Sequence, residues 1–157
     1  MAKVYRYAKA APCIQAVIFA RVSTKEQEPG ASLDAQKAAM EDYCAKKGLK
    51  IVNEYRVIES STNGKRVVFH EMLDFVRKQK NKTAIVVHCI DRFQRRFNEC
   101  VEVETLLLDD KIDIHFCKEG LILTKNSSSS DIMRWDMGIL SGKMYVANLR
   151  DNVNRGM

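Results

Sequence analysis

Two short apolar runs constrain this chain most: Ile14–Val22 and Ala84–Ile90. Each suits a strand with both faces covered. Such strands need helices packed on them, and the intervening segments have helical spacing. Ser32 is a good N-cap, Asp34 follows in the first turn, and Lys46 and Lys47 precede Gly48. These signals bound a helix with Leu33, Met40, Tyr43 and Cys44 on one face. Lys50–Ile58 alternates like a second strand, and Val67–Gln79 places Phe69, Leu73 and Val76 at helical spacing. A third helix is predicted over Asn98–Lys111, carrying Val101, Leu107 and Leu108. Asp113–Lys118 and Leu121–Thr124 read as further strands. Pro29-Gly30, Glu59–Lys65 and the polar run Ser127–Ser130 read as turns or loops.

Strands alternating with helices predict an α/β fold around a mostly parallel sheet, flanked by helices. From Asp131 the pattern is helical almost to the end, with Ile132, Met133, Leu140, Met144 and Leu149 around much of the circumference. A helix apolar on several sides often docks on a partner. Trp135 reads equally well as core or as partner contact.

The 157 residues fit one domain with a real core, and the apolar and charged fractions (46% and 29%) are those of a globular protein. A net charge of +6 makes an acidic partner plausible, nucleic acid being the commonest. The five cysteines (Cys13, Cys44, Cys89, Cys100 and Cys117) have no C-x-x-C spacing. Buried reduced thiols are expected, hence a reducing, cytoplasmic setting. No segment approaches the roughly 20 apolar residues of a membrane span, and no signal sequence is expected.

In parallel sheets, ligands gather at the carboxyl ends of the strands. Arg21-Val22-Ser23 closes the first strand and Asp91-Arg92-Phe93-Gln94-Arg95 follows the Ala84–Ile90 run. A parallel sheet would bring both motifs to one edge, with a hydroxyl beside several guanidiniums. Guanidiniums bind phosphate oxygens in pairs, and positive charge lowers the cost of a serine alkoxide. No acidic cluster for magnesium and no Gly-x-x-x-x-Gly-Lys loop stands out, so arginine-assisted phosphoryl transfer without metal or cofactor is the expected chemistry. His70, His88 and His115 have no motif joining them to Ser23, which argues against a Ser-His-Asp hydrolase. A generic nucleotide- or RNA-binding protein is disfavoured by the missing glycine-rich loop and RNA-stacking motif.

Phe19-Ala20-Arg21-Val22-Ser23-Thr24-Lys25-Glu26-Gln27, followed by Ser32-Leu33-Asp34-Ala35-Gln36, resembles the opening of the resolvase/invertase serine recombinases. The insert Glu28–Ala31 is similar to that of the large serine integrase and transposase branch. Asp91-Arg92-Phe93-Gln94-Arg95 resembles the family's Asp-Arg-x-x-Arg motif, and Arg66 stands where the family has another phosphate-binding arginine. Asn148-Leu149, Val153 and Arg155-Gly156 resemble the end of the dimer helix of large members. The resemblance extends from Ala16 onward.

It implies a resolvase-like three-layer fold and site-specific recombination of double-stranded DNA. Ser23 would attack a phosphate to give a 5′-phosphoserine link and a 3′-hydroxyl. Arg21, Arg66, Arg92 and Arg95 would hold the phosphate, Gln27 and Gln36 would position Ser23 or its phosphate, and Asp91 would orient the arginines. Homodimers pairing into homotetramers through the C-terminal helix are implied, with no ATP requirement and no membrane. On this reading residues 1–13 are a basic leader, 14–126 the catalytic α/β domain, and 127–157 a linker and dimerisation helix. On the same reading, the family's C-terminal DNA-binding domain is not expected within these 157 residues. Phe19 stands where the family usually has tyrosine, Val67 where it often has proline, and Lys143 where large members often have an acid. These differences leave a second reading open, a catalytically impaired module that only pairs with an active recombinase.

Overall fold

A computed structural model describes residues 11–23, 32–59, 67–93 and 97–156, apart from the side chains of Ser23, Glu59, Phe97, Asn98, Lys143, Tyr145 and Val146. Among these residues five strands form one sheet: β1 (Gln15–Ser23), β2 (Lys50–Glu59), β3 (Thr83–Val87), β4 (Ile112–Phe116) and β5 (Leu121–Leu123). The order is β2-β1-β3-β4-β5; the first four run parallel and β5 is antiparallel to β4. The helices are α1 (Leu33–Lys47), α2 (Val67–Lys78), α3 (Phe97–Leu108) and α4 (Ser129–Arg155).

Side chains alternate along a strand, so β1 serves two cores. Ala16, Ile18 and Ala20 face α1 and pack with Met40 and Cys44. Val17 and Phe19 face the other way and join α2, α3 and Trp135 of α4 in the larger core. The result is the expected three-layer α/β arrangement, with one helix on one face and the rest on the other.

The end signals of α1 act as read. The Ser32 hydroxyl accepts from the Ala35 N–H at 3.2 Å, and Gly48 ends the helix at φ 68°, a left-handed conformation that suits glycine. Other boundaries differ. β3 ends at Val87, and Ile90–Arg92 forms a single 3₁₀ turn where the apolar run had read as strand. Only the first half of the serine run is loop: Ser127 precedes α4, Ser128 caps it by accepting from the Asp131 N–H at 3.1 Å, and the helix begins at Ser129. On α3, Val103, Leu106 and Leu107 enter the core, whereas Val101 and Leu108 are exposed. The structure also decides Trp135: it is 1% exposed and lies in the larger core.

The amino-terminal edge of the sheet is tied by charge. The Lys82 ammonium lies 2.6 Å from an Asp110 oxygen and 2.9 Å from an Asp113 oxygen, and it donates to the Ala11 carbonyl at 2.8 Å. Because the ammonium is desolvated, removing either carboxylate would leave a buried charge poorly matched.

Between α1 and β4, the Tyr43 hydroxyl and His115 Nδ1 are 2.8 Å apart. Burial lowers the His115 pKa from 6.5 to about 4; Asp113 opposes it, and Lys47 and Lys82 add smaller contributions in the same direction as burial. The unfolded chain therefore takes up a proton between these values while the folded chain does not. Stability is full above about pH 6.5 and falls as the pH drops toward 4, by on the order of 3 kcal/mol for the whole shift. Thermal denaturation at pH 7 and pH 5 should show this loss, and His115→Gln should flatten it. An equal slope in the variant would assign the acid sensitivity elsewhere.

Candidate active site

The parallel register of β1 and β3 brings the two arginine motifs to one edge, at the carboxyl ends of the strands. β3 accompanies β1 only as far as Phe19, opposite Val87, whereas β2 follows it to Ser23. Past Phe19, the side of β1 toward β3 has no strand partner among the described residues. Gln36 of α1 supplies one in miniature. Its Oε1 accepts from the Arg21 N–H at 3.3 Å and its Nε2 donates to the Arg21 carbonyl at 3.1 Å. A primary amide offers the same donor and acceptor pair as a peptide, so it can continue a strand's bonding. The Gln36 side chain is 2% exposed and fixes the backbone two residues before Ser23.

Arg21 is 1% exposed. Its Nε donates to the Arg92 carbonyl at 3.4 Å and its Nη2 to the Asp91 carbonyl. The planar guanidinium thus bridges β1 to the 3₁₀ turn, and two of its five N–H groups are held by adjacent carbonyls. Two residues earlier on β1, and so on the same face of the strand, Phe19 joins an aromatic cluster. Phe19 contacts Phe69 and Phe93 edge-on, with ring centroids 5.7 and 6.3 Å apart. Phe19 is fully buried, so phenylalanine at this position serves the larger core.

The turn carries its own hydrogen bonds. The Arg92 N–H donates to the Cys89 carbonyl at 3.1 Å, and the Cys89 thiol donates to an Asp91 carboxylate oxygen at 2.8 Å. Burial first, then that hydrogen bond to Asp91, pushes the thiol up to about 12. Cys89 is therefore a neutral thiol at pH 7 and a poor nucleophile, although it lies two residues before the motif. His88, just after β3, is held below its ordinary pKa chiefly by burial.

Of the residues expected at the site, Arg21, Gln36, Asp91 and Arg92 are brought together around the end of β1, where Ser23 is the last residue. Arg66, Arg95 and Gln27 lie outside the described residues, as do the side chains of Ser23 and Lys143. The carboxylate of Asp91 meets Cys89, while its carbonyl meets Arg21. Among the described residues no three His, Cys, Asp or Glu side chains gather as a metal site. No described helix is long and apolar enough to cross a membrane.

The family model described as the resolvase N-terminal domain matches residues 16–157, nearly the whole chain. The chain belongs to the resolvase family. It is the catalytic domain of a serine recombinase, and solved structures share its fold. The N-terminal catalytic domain of TP901-1 integrase is 20% identical, with a TM-score of 0.56 over 86% of this chain and 98% of that one. A resolvase-family site-specific recombinase from Streptococcus pneumoniae is 23% identical, with a TM-score of 0.57 over 91% and 95%. The C-terminal catalytic domain of ISC1926 TnpA, an IS607-like serine recombinase, is 19% identical, with a TM-score of 0.55 over 90% and 99%. No curated protein matches the resolvase-family chain significantly by sequence.

Sequence reasoning passed over three residues that shape this site. Glu119 accepts from the Ile90 N–H at 3.1 Å, and Gly138 of α4 lies against the Ile90 side chain. Gly138 carried a signal, because a glycine inside a helix costs about 1 kcal/mol relative to alanine and often marks a close approach. Glu119 and Ile90 carried none.

Proposed function

We propose that the domain cuts and rejoins DNA through Ser23 in site-specific recombination. The observation that carries this reading is the Arg21 guanidinium bound to the Asp91–Arg92 turn at the strand edge that ends in Ser23. The Ser23 hydroxyl attacks phosphorus and loses its proton. The bond from phosphorus to the 3′-oxygen breaks, and that oxygen takes up a proton. The 5′-phosphoserine link keeps the bond energy, so reversal by a new 3′-hydroxyl rejoins strands without ATP. Arg92, Arg95 and Arg66 hold the phosphate oxygens. Arg21, itself buried, contributes positive charge that favours the alkoxide and the phosphorane-like transition state. Gln36 and Gln27 position the serine and its phosphate, and Asp91 orients the arginines.

The partners are double-stranded DNA and further copies of the chain along α4. Met133, Met137, Leu140 and Met144 recur at spacings of four, three and four residues, and all are more than half exposed. Such a stripe suits helix packing in a homodimer, and then a homotetramer. The basic leader, the catalytic unit over 14–126 and the helical unit over 127–157 form the proposed division of the chain. A cytoplasmic setting on DNA suits its five free cysteines.

The test is a fusion of the whole chain to a DNA-binding module, incubated with nicked duplex bearing paired target sites. A protein–DNA complex that survives detergent, and disappears in Ser23→Ala, is expected. Pairing on DNA with no such complex at any loading would favour the pairing-module reading instead.

A further inference from the structure

We propose that Glu119 is a positioning residue for this site, setting the Asp91–Arg92 turn against α4; the inference rests on the reading of that turn as catalytic. A 3₁₀ turn begins with an N–H that has no partner inside the turn. The residue preceding Ile90, Cys89, gives no side-chain cap. The cap comes from elsewhere in the chain: Glu119 Oε1 accepts from the Ile90 N–H at 3.1 Å. Glu119 reaches it because the segment after β4 continues beside the exit of β3. There the Cys117 and Lys118 N–H groups donate to the Val87 and His88 carbonyls at 3.0 and 2.9 Å.

The same residue binds α4. Arg134 donates from Nη2 to the Glu119 carbonyl at 3.0 Å. One helical turn later, Gly138 presses on the capped residue itself. A Cβ at Gly138 would stand 2.7 Å from Ile90 Cγ2 and 2.9 Å from Cδ1, closer than real contacts allow. Ile90 is thus held by its N–H from Glu119 and by its side chain from α4. The next two carbonyls in the chain, those of Asp91 and Arg92, are the ones that receive Arg21. A shift in Glu119 would therefore move the turn relative to β1, the strand that ends in Ser23. Glu119 Oε2 is buried without a hydrogen-bond partner among the described residues, so the carboxylate's described hydrogen bond is the one to Ile90.

Two readouts test this. The first is amide hydrogen exchange of the chain itself, which does not depend on any DNA chemistry. Glu119→Ala should speed exchange at residues 90–93 about tenfold, with the amides of β1 and β4 unchanged. The second is the single-turnover rate of nicked-DNA cleavage by the fused full chain. Glu119→Ala should slow it about a hundredfold at unchanged DNA affinity, the scale of a misplacement near 1 Å. Glu119→Gln keeps an acceptor oxygen and should recover most of both effects. Gly138→Ala should also slow cleavage, and Ile90→Val, which removes Cδ1, should restore part of it. The proposal is overturned if the alanine variant exchanges like wild type at 90–93. It is also overturned if exchange rises equally throughout the domain, or if glutamine is as damaging as alanine. If the wild-type fusion never cleaves, the functional reading fails by itself, and the exchange data still decide the role of Glu119.

Discussion

Arg21→Ala should lose DNA cleavage and also a large part of the domain's stability. Arg21 is among the largest fully buried side chains, and its guanidinium serves the Asp91 and Arg92 carbonyls. Truncation leaves both without this donor and opens a cavity where a large, fully buried side chain stood. Together these effects should cost about 3–5 kcal/mol. For a chain of this size that lowers the melting temperature by about 10 °C. Cleavage should fall at least about a thousandfold, because a preorganised charge is removed and the turn carrying Arg92 loses its anchor. Arg21→Lys separates the two effects. Lysine keeps the charge, but a point-like ammonium cannot bridge two carbonyls as a planar fork does. It should recover part of the stability and little of the rate. Melting curves and single-turnover cleavage check this pair. A lysine variant that cleaves like wild type would show that charge alone is needed.

A second large effect is expected on α4, where opposite faces should answer differently. Ile132, Trp135 and Ile139 face the core, and Trp135 is 1% exposed. Trp135→Ala should cost about 3–5 kcal/mol, as for other large buried aromatics. The indole N–H has no acceptor among the described residues, so Trp135→Phe loses no described hydrogen bond and should cost visibly less. The outward stripe should behave in the opposite way. Met137→Lys with Leu140→Lys should leave the melting temperature nearly unchanged while weakening self-association and synapsis. Thermal melts beside sedimentation of the same variants measure both. Equal destabilisation by both sets would mean that the outward stripe is part of the fold.

Local chemistry was legible where it acts locally. Ser32 and Gly48 end α1 because one offers a side-chain acceptor and the other a left-handed backbone, and both properties reside in single residues. Ala84–Val87 was legible as strand because burial on both faces leaves an unbroken apolar run. The same run hid its own end: Ile90 is apolar because it meets α4 in a turn, and apolarity does not distinguish that from a strand. Helix faces failed where the choice depends on neighbours. Val101 and Leu108 match helical spacing, but α3 is rotated so that Val103, Leu106 and Leu107 meet the sheet. At the site, Arg21, Asp91 and Arg92 were legible as a motif at a strand edge. That the Arg21 guanidinium reaches protein carbonyls, and that Gln36 bonds the Arg21 backbone, follows from where β3 stops. Glu119 contributes through a contact 29 residues away in sequence, which no local pattern encodes.

If Ser23 forms the covalent bond to DNA, that bond can be located chemically. The detergent-resistant complex from the fused chain would be digested with protease and nuclease and the remnant read by mass spectrometry, with the freed DNA end tested for extension by a polymerase. A phosphonucleotide on the peptide containing Ser23 and an extendable 3′-hydroxyl on the other side of the break are expected. A linkage on any other residue, or a break with a blocked 3′ end, would contradict cleavage through Ser23.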